Sequence, residues 1–141
     1  MKGDSPLWVM RAKSNSSAAG VGTLDLQPPA GCMWKVLYCV GYHDDNVAAR
    51  ACNWMFHDGV NASLVLGGNS AVTTGARVPL YSHGNPGAIP SDYTTVWWPE
   101  PIILTVDSYC QFQVAAIGAG KKAYWQAVVM ELRGVRTWQQ D

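Results

Sequence analysis

The stretch that decides the fold runs from Cys32 to Tyr42 and reads CMWKVLYCVGY. Side chains along a β-strand point alternately to opposite faces of the sheet, so alternate residues share a surface. One such set is Cys32, Trp34, Val36, Tyr38, Val40 and Tyr42, and the other is Met33, Lys35, Leu37 and Cys39. Both sets are mostly apolar, which is typical of a central strand covered on both faces. The pattern therefore predicts a strand in the middle of a sheet.

Shorter segments with the same alternation lie on both sides of this strand. They are residues 7–13, 23–27, 48–57, 62–66, 78–81, 93–98, 102–106, 109–117 and 122–133. Pro28-Pro29-Ala30-Gly31 and Asp58-Gly59 are strong turn signals between them. Residues 48–51 could alternatively begin a short helical turn. About eight strands in a chain of this size predict an all-β fold, an antiparallel two-sheet β-sandwich resembling a jelly roll.

The length of 141 residues predicts a single domain, residues 1–141, with flexible ends near 1–6 and 134–141. We expect loops at 14–22, from Gly67 onward, and at 82–92. The last of these is long for a compact domain, and loops of that length often carry function.

Charge and hydropathy argue against binding to nucleic acid and against a membrane-spanning helix. Ten basic and ten acidic residues give no net charge, whereas nucleic-acid binding needs clustered Lys and Arg. No apolar run approaches the ~20 residues of a membrane-spanning helix, and no signal peptide is evident. We therefore expect synthesis and folding in the cytoplasm of the producing cell. Only 14% of residues are charged and seven are Trp, which favours a surface partly covered by another subunit.

Motifs for catalysis are missing from the sequence. There is no hydrolase nucleophile elbow, no zinc-protease helix motif and no phosphate-binding loop. The two glutamates, Glu100 and Glu131, are not placed together by any pattern. The strongest polar grouping is His43-Asp44-Asp45 with His57-Asp58, whose Asp side chains we expect to accept backbone N–H bonds in turns. A metal or acid–base site there is the alternative. The sequence predicts no enzyme, no metal and no cofactor.

The four cysteines, Cys32, Cys39, Cys52 and Cys110, contain no C-x-x-C pair. We expect buried free thiols. A disulfide between Cys39 and Cys52 remains the alternative.

The aromatic residues suggest where partners bind. Trp34, Trp54 and Trp125 lie in mid-strand and are expected in the core. Adjacent residues of a strand point to opposite faces, so one of Trp97 and Trp98 can be exposed beside the 82–92 loop. The candidates for a partner interface are Trp8, Tyr93, Trp97, Trp98 and Trp138. Burial in the core and stacking against carbohydrate remain alternatives for the Trp97-Trp98 pair.

Several stretches resemble small β-sandwich virion proteins of tailed bacteriophages, a class that includes capsid decoration (cement) proteins and tail-associated proteins. The stretches are Pro28-Pro29-Ala30-Gly31, Trp34-Lys35-Val36-Leu37, Gly41-Tyr42-His43-Asp44-Asp45, Pro101-Ile102-Ile103-Leu104-Thr105, Tyr109-Cys110-Gln111-Phe112, Ala119-Gly120-Lys121-Lys122 and Val128-Val129-Met130-Glu131-Leu132. The resemblance covers roughly residues 24–134. The chain departs from the pattern at Asp107-Ser108, where a Gly-Asp type turn is usual, and at Cys32, where an acidic residue is usual.

The resemblance implies a non-enzymatic subunit located in the virion, most directly on the capsid surface. Its implied partners are the major capsid protein, whose shell it would bind and stabilise, and copies of itself in a homo-oligomer. The alternative role is a tail- or fibre-associated module that recognises a host glycan through Trp97, Trp98 or Tyr93. A cellular β-sandwich enzyme or ligand carrier is a third alternative.

Overall fold

The computed structural model describes residues 7–60, 63–81, 96–97 and 102–134. These residues form ten β-strands and no helix. In chain order the strands are β1 (Val9–Ser16), β2 (Thr23–Leu26), β3 (Cys32–His43), β4 (Arg50–His57), β5 (Ser63–Val72), β6 (Val78–Tyr81), β7 (Val96–Trp97), β8 (Ile102–Leu104), β9 (Tyr109–Val114) and β10 (Ala123–Arg133). The predicted all-β class is confirmed, and the segment that could have begun a helical turn leads instead into β4.

The strands form two packed sheets. The six-stranded sheet has the order β1-β10-β3-β6-β7, with β8 also paired to β3, and the four-stranded sheet has the order β2-β9-β4-β5. The strand pairs of the described residues are antiparallel except for the short parallel pair of β6 and β7. Because β10 occupies one edge of β3, β6 and β8 lie end to end along its other edge.

The pairing pattern is nested, as if one long hairpin had been rolled up. β1 pairs with β10, β2 with β9, β3 with β6 and β4 with β5, while β7 and β8 are additions to this scheme. Nested pairing of eight strands across two sheets is the jelly-roll arrangement. The predicted two-sheet, jelly-roll-like sandwich is therefore confirmed.

The core lies between the sheets and includes the three tryptophans expected there. Trp34 and Trp125 are each 4% exposed and Trp54 is fully buried. Each indole N–H donates a hydrogen bond at 2.8–3.0 Å, one to a carboxylate and two to backbone carbonyls. Buried Trp residues need such an acceptor, because an unpaired N–H would lose its bond to water without replacement. Trp54 also packs against Phe112, with the ring centroids 5.1 Å apart.

A β-bulge in β3 contradicts part of the prediction of which side chains share a face of that strand. Adjacent residues of β10 pair with Tyr38 and Val36, so Leu37 is an extra residue without a register partner. One extra residue moves every later side chain to the opposite face. The inward-facing residues of β3 are thus Trp34 and Val36 before the bulge and Cys39, Gly41 and His43 after it. The expectation that Tyr38 and Tyr42 share a face with Trp34 is wrong.

Two predicted loop regions also differ from the structure. β1 continues to Ser16, so the loop there is shorter than expected. β5 runs through Gly67-Gly68-Asn69, where Gly68 lies too close to the Cys52 carbonyl for any side chain. The turn at Thr105–Ser108 is present, but the strands on either side of it belong to different sheets.

The expected loop at 82–92 and the expected flexible ends at 1–6 and 135–141 lie outside the described residues.

Candidate functional site

Asp45 is the most buried carboxylate of the His/Asp grouping, at 1% exposure. Its carboxylate accepts hydrogen bonds from the backbone N–H of Val47 at 3.0 Å and of Gly118 at 2.8 Å, and from the Nε of Arg50 at 2.9 Å. The two backbone bonds are the largest influences that hold the pKa of Asp45 at about 2, below its ordinary 3.8. The carboxylate is therefore an anionic anchor joining the 43–50 segment to the turn before β10.

His43 is fully buried and uses both ring nitrogens in the protein. Its Nδ1 accepts the Asp45 N–H at 3.1 Å, so Nε2 carries the proton and donates to the Val72 carbonyl at 2.8 Å. The neighbouring Asp44 accepts the Lys122 N–H at 2.7 Å and the Tyr124 hydroxyl at 2.9 Å. The expectation that these Asp side chains accept backbone N–H bonds is confirmed.

His57 and Asp58 lie far from this cluster. The strands that precede and follow the 44–49 segment belong to different sheets, so a hairpin between them does not account for the separation. Even so, His57 follows Arg50 by seven residues of β4, which corresponds to roughly 23 Å. His57 stacks on Tyr109 with the ring centroids 4.9 Å apart. In the described part of the chain, no three His, Cys, Asp or Glu side chains are grouped to hold a metal ion.

The cysteines are free thiols, as expected, and the alternative disulfide between Cys39 and Cys52 is wrong. Burial raises the pKa of Cys52 and of Cys110 to about 12 and also raises the pKa of Cys39. These thiols stay protonated at neutral pH, and a protonated thiol is a poor nucleophile.

Glu131 is the second buried carboxylate, at 2% exposure. It accepts the Trp34 indole N–H at 2.8 Å and pairs with Arg133 at 2.8 Å and Lys13 at 3.3 Å. These contacts, led by the Trp34 bond, lower the pKa of Glu131 from 4.5 to about 2. The group ties β1, β3 and β10 together, and it remains ionised at neutral pH.

Of the five sequence-predicted interface residues, one side chain is described. Trp8 is half-buried, and the Lys35 ammonium lies 4.3 Å from the centroid of its ring, a cation–π contact. For Trp97 only the backbone is described, and it lies in β7. Tyr93, Trp98 and Trp138 lie outside the described residues.

The outer face of the six-stranded sheet carries an organised apolar surface. Met10 pairs with Met130, which pairs in turn with Lys35. Lys35 pairs with Ile103 on its other side. Directly opposed residues of antiparallel strands point to the same face, so these four form one row across four strands. With their neighbours they form what we call the apolar half: Trp8, Met10, Met33, Lys35, Ile103, Met130 and Leu132. Met10 is 62% and Ile103 42% exposed.

The other end of the same face has a different chemistry. Tyr124 pairs with Ser16 on one side and with Tyr42 on the other. The two tyrosine rings stack with centroids 5.0 Å apart and planes 7° from parallel. We call this region the aromatic half: Ser14, Ser16, Tyr38, Tyr42, Tyr124 and Gln126.

The outer face of the four-stranded sheet is polar by contrast. The Gln111 amide donates to Asp25 at 2.8 Å, and the Gln113 amide donates to Gln111 at 2.7 Å. These side chains bond to one another across β2 and β9, and their row ends on the apolar pair of Met55 and Val65. The two faces of the sandwich therefore differ in kind.

Of the residues that form the two halves, the sequence analysis singled out Trp8 alone as an interface candidate. One usable signal was present in the last strand, where Tyr124, Val128, Met130 and Leu132 alternate with buried residues. The pairing of that strand with β1 and β3, which completes the surface, has no local signal.

No protein-family model, curated protein or solved structure matches this chain. None of the described segments is a helix long and apolar enough to cross a membrane.

Proposed function

We propose that this chain is a non-enzymatic structural protein of a bacteriophage virion, acting as a capsid decoration protein that binds and stabilises the shell of major capsid protein. The observation that carries the proposal is the apolar half. An exposed row of Met and Ile side chains at one end of a sheet is costly in water and is explained when another protein covers it.

The composition of this surface supports protein contact over small-molecule chemistry. Met is enriched at protein interfaces, because its flexible thioether adapts to a partner's shape. Lys35 is the one charged member of the apolar half, and its ammonium lies over the Trp8 ring. The charge on this surface is thus already in contact with an aromatic ring of the same surface.

The edge of the sheet adds a second kind of contact. Among the described residues, β1 pairs with β10 alone, so its outer edge presents backbone N–H and C=O groups to a neighbour. Val9 and Met10 are 42% and 62% exposed on this strand. An edge strand beside an apolar face suits packing between copies of the chain in a homo-oligomer.

The jelly-roll arrangement is compatible with this role, since jelly rolls are common among viral capsid domains. The same architecture hosts many functions, so it supports the proposal only as an analogy.

The copy number of the chain in purified virions tests the proposal. Quantitative mass spectrometry against the major capsid protein is expected to give a ratio near one or a simple fraction of it. Absence from the particle, or a few copies per particle, would overturn the decoration role.

A further inference from the structure

A row of three stacked groups crosses the aromatic half. The Arg77 guanidinium lies 3.8 Å from the centroid of the Tyr42 ring, and that ring stacks on Tyr124 at 5.0 Å. The ring spacing is close to the ~4.8 Å between neighbouring strands, so the two rings stand side by side above β3 and β10. One face of Tyr124 is covered by Tyr42, and the opposite face is directed towards β1.

Small side chains on β1 leave space beside that uncovered face. Ser16 is the register partner of Tyr124, and Ser14 is the partner of Gln126. A cavity of about 320 Å³ is lined here by these four residues and Tyr42, among others. The next ring position in the stack is therefore open.

A second cavity continues the first along β1. It has a volume of about 390 Å³ and is lined by Ala12, Tyr38 and Val128, among others. Both cavities share Ser14 and Gln126 in their walls. The lining of the second cavity is shifted by two residues along β1 and β10, which corresponds to about 7 Å. The two cavities therefore form one trough.

The trough combines a flat aromatic wall with hydrogen-bonding groups at its floor and edge. A pyranose ring has one face rich in C–H groups, which packs on the electron-rich face of an aromatic ring, and hydroxyls around its edge. The hydroxyls of Ser14 and Ser16 and the amide of Gln126 lie where such hydroxyls would point.

The charges near the trough favour a neutral ligand. Lys13 is paired with Glu131 at 3.3 Å, and Arg77 is stacked on Tyr42. The carboxylate of Asp44 lies at the Tyr124 hydroxyl and would repel an acidic sugar.

We infer that this trough, walled by Tyr124 and floored by Ser14, Ser16 and Gln126, binds a neutral oligosaccharide of at least two pyranose rings. The Tyr124 ring is held in place beforehand, because its hydroxyl donates to Asp44 and Asp44 accepts the Lys122 N–H. Such preorganisation reduces the entropy lost on binding. The site differs from the glycan alternative based on Trp97, Trp98 or Tyr93, and it does not depend on a capsid location.

Binding of neutral oligosaccharides of two to six pyranose rings, screened on a glycan array and measured by calorimetry, tests the inference. We expect a saturable ligand whose affinity falls roughly tenfold or more in Tyr124→Ala. Ser16→Trp fills the open ring position from the exposed side of β1 and should abolish binding. Tyr124→Phe keeps the ring and should retain most of the affinity.

Tyr109→Ala is the matched control, because Tyr109 also stacks on a ring, that of His57, but lies on the other sheet. Circular dichroism melting of each variant separates loss of binding from loss of folding. The inference is overturned if no array glycan binds, if binding survives both Tyr124→Ala and Ser16→Trp in folded protein, or if Tyr109→Ala removes it equally.

Discussion

Two buried carboxylates, Asp45 and Glu131, resemble catalytic groups in their depressed pKa values but serve the fold. Asp45 joins the 43–50 segment to the turn before β10, and Glu131 joins three strands of one sheet. Their partners are backbone N–H groups, an indole and cations, which stabilise the ionised form. A group held ionised in this way cannot act as a general acid near neutral pH.

The stability of the protein should therefore fall in acid. Both carboxyls have a folded pKa of about 2, below their ordinary values of 3.8 and 4.5. A depressed pKa contributes stability that is complete above the ordinary value and is lost as the pH falls through the folded value. We predict that the free energy of unfolding in urea decreases between about pH 4.5 and about pH 2.

Glu131→Gln should lower stability at neutral pH, because Lys13 and Arg133 lose their ionic partner. It should also make the acid dependence shallower, because the titrating group is gone. Asp107→Asn, at an exposed turn position, is the matched control and should leave the dependence unchanged. Identical slopes for wild type and Glu131→Gln would contradict this assignment.

At the scale of strands, the sequence predicted where strands occur better than which side chains face the core. The period-two pattern correctly located most strands, because burial on at least one face imposes it. It gave the correct phase for β10 but the wrong facing after Val36, since nothing in the residues around Leu37 distinguishes a bulge from a regular strand. The sheet to which β8 and β9 belong is set by partners distant in the chain, which local turn chemistry does not reveal.

The same reason explains why the candidate site escaped sequence analysis. Its rows combine β1, β3, β8 and β10, and the first and last of these are separated by most of the chain. The sequence instead pointed to Trp97 and Trp98 as adjacent strand residues beside the 82–92 loop, and that prediction remains untested by the described residues.

The bulge itself can be tested by removing one residue. Deleting Leu37 would force the two ends of β3 into one continuous register and turn either the Trp34 end or the His43 end away from the core. We predict that the deletion variant does not fold, as judged by far-ultraviolet circular dichroism and soluble yield. Leu37→Ala keeps the residue count and should fold with a modest loss of stability. A folded deletion variant with wild-type melting would contradict the register.

At the scale of the whole molecule, the sandwich has one polar outer face and one that is apolar at one end and aromatic at the other. The six-stranded face is the binding face in this account. Its apolar half is assigned to a protein partner and its aromatic half to a neutral glycan. The two assignments use different residues and can fail separately.

Binding to capsid shells that lack the protein tests the central claim most directly. Met10 and Val65 are each 62% exposed, but Met10 lies in the apolar half and Val65 on the edge strand of the other sheet. Co-sedimentation should show that Met10→Asp weakens binding about tenfold or more, because a charge would be buried against the partner. Val65→Asp should bind as wild type does. Wild-type binding by folded Met10→Asp would contradict the assignment of this face.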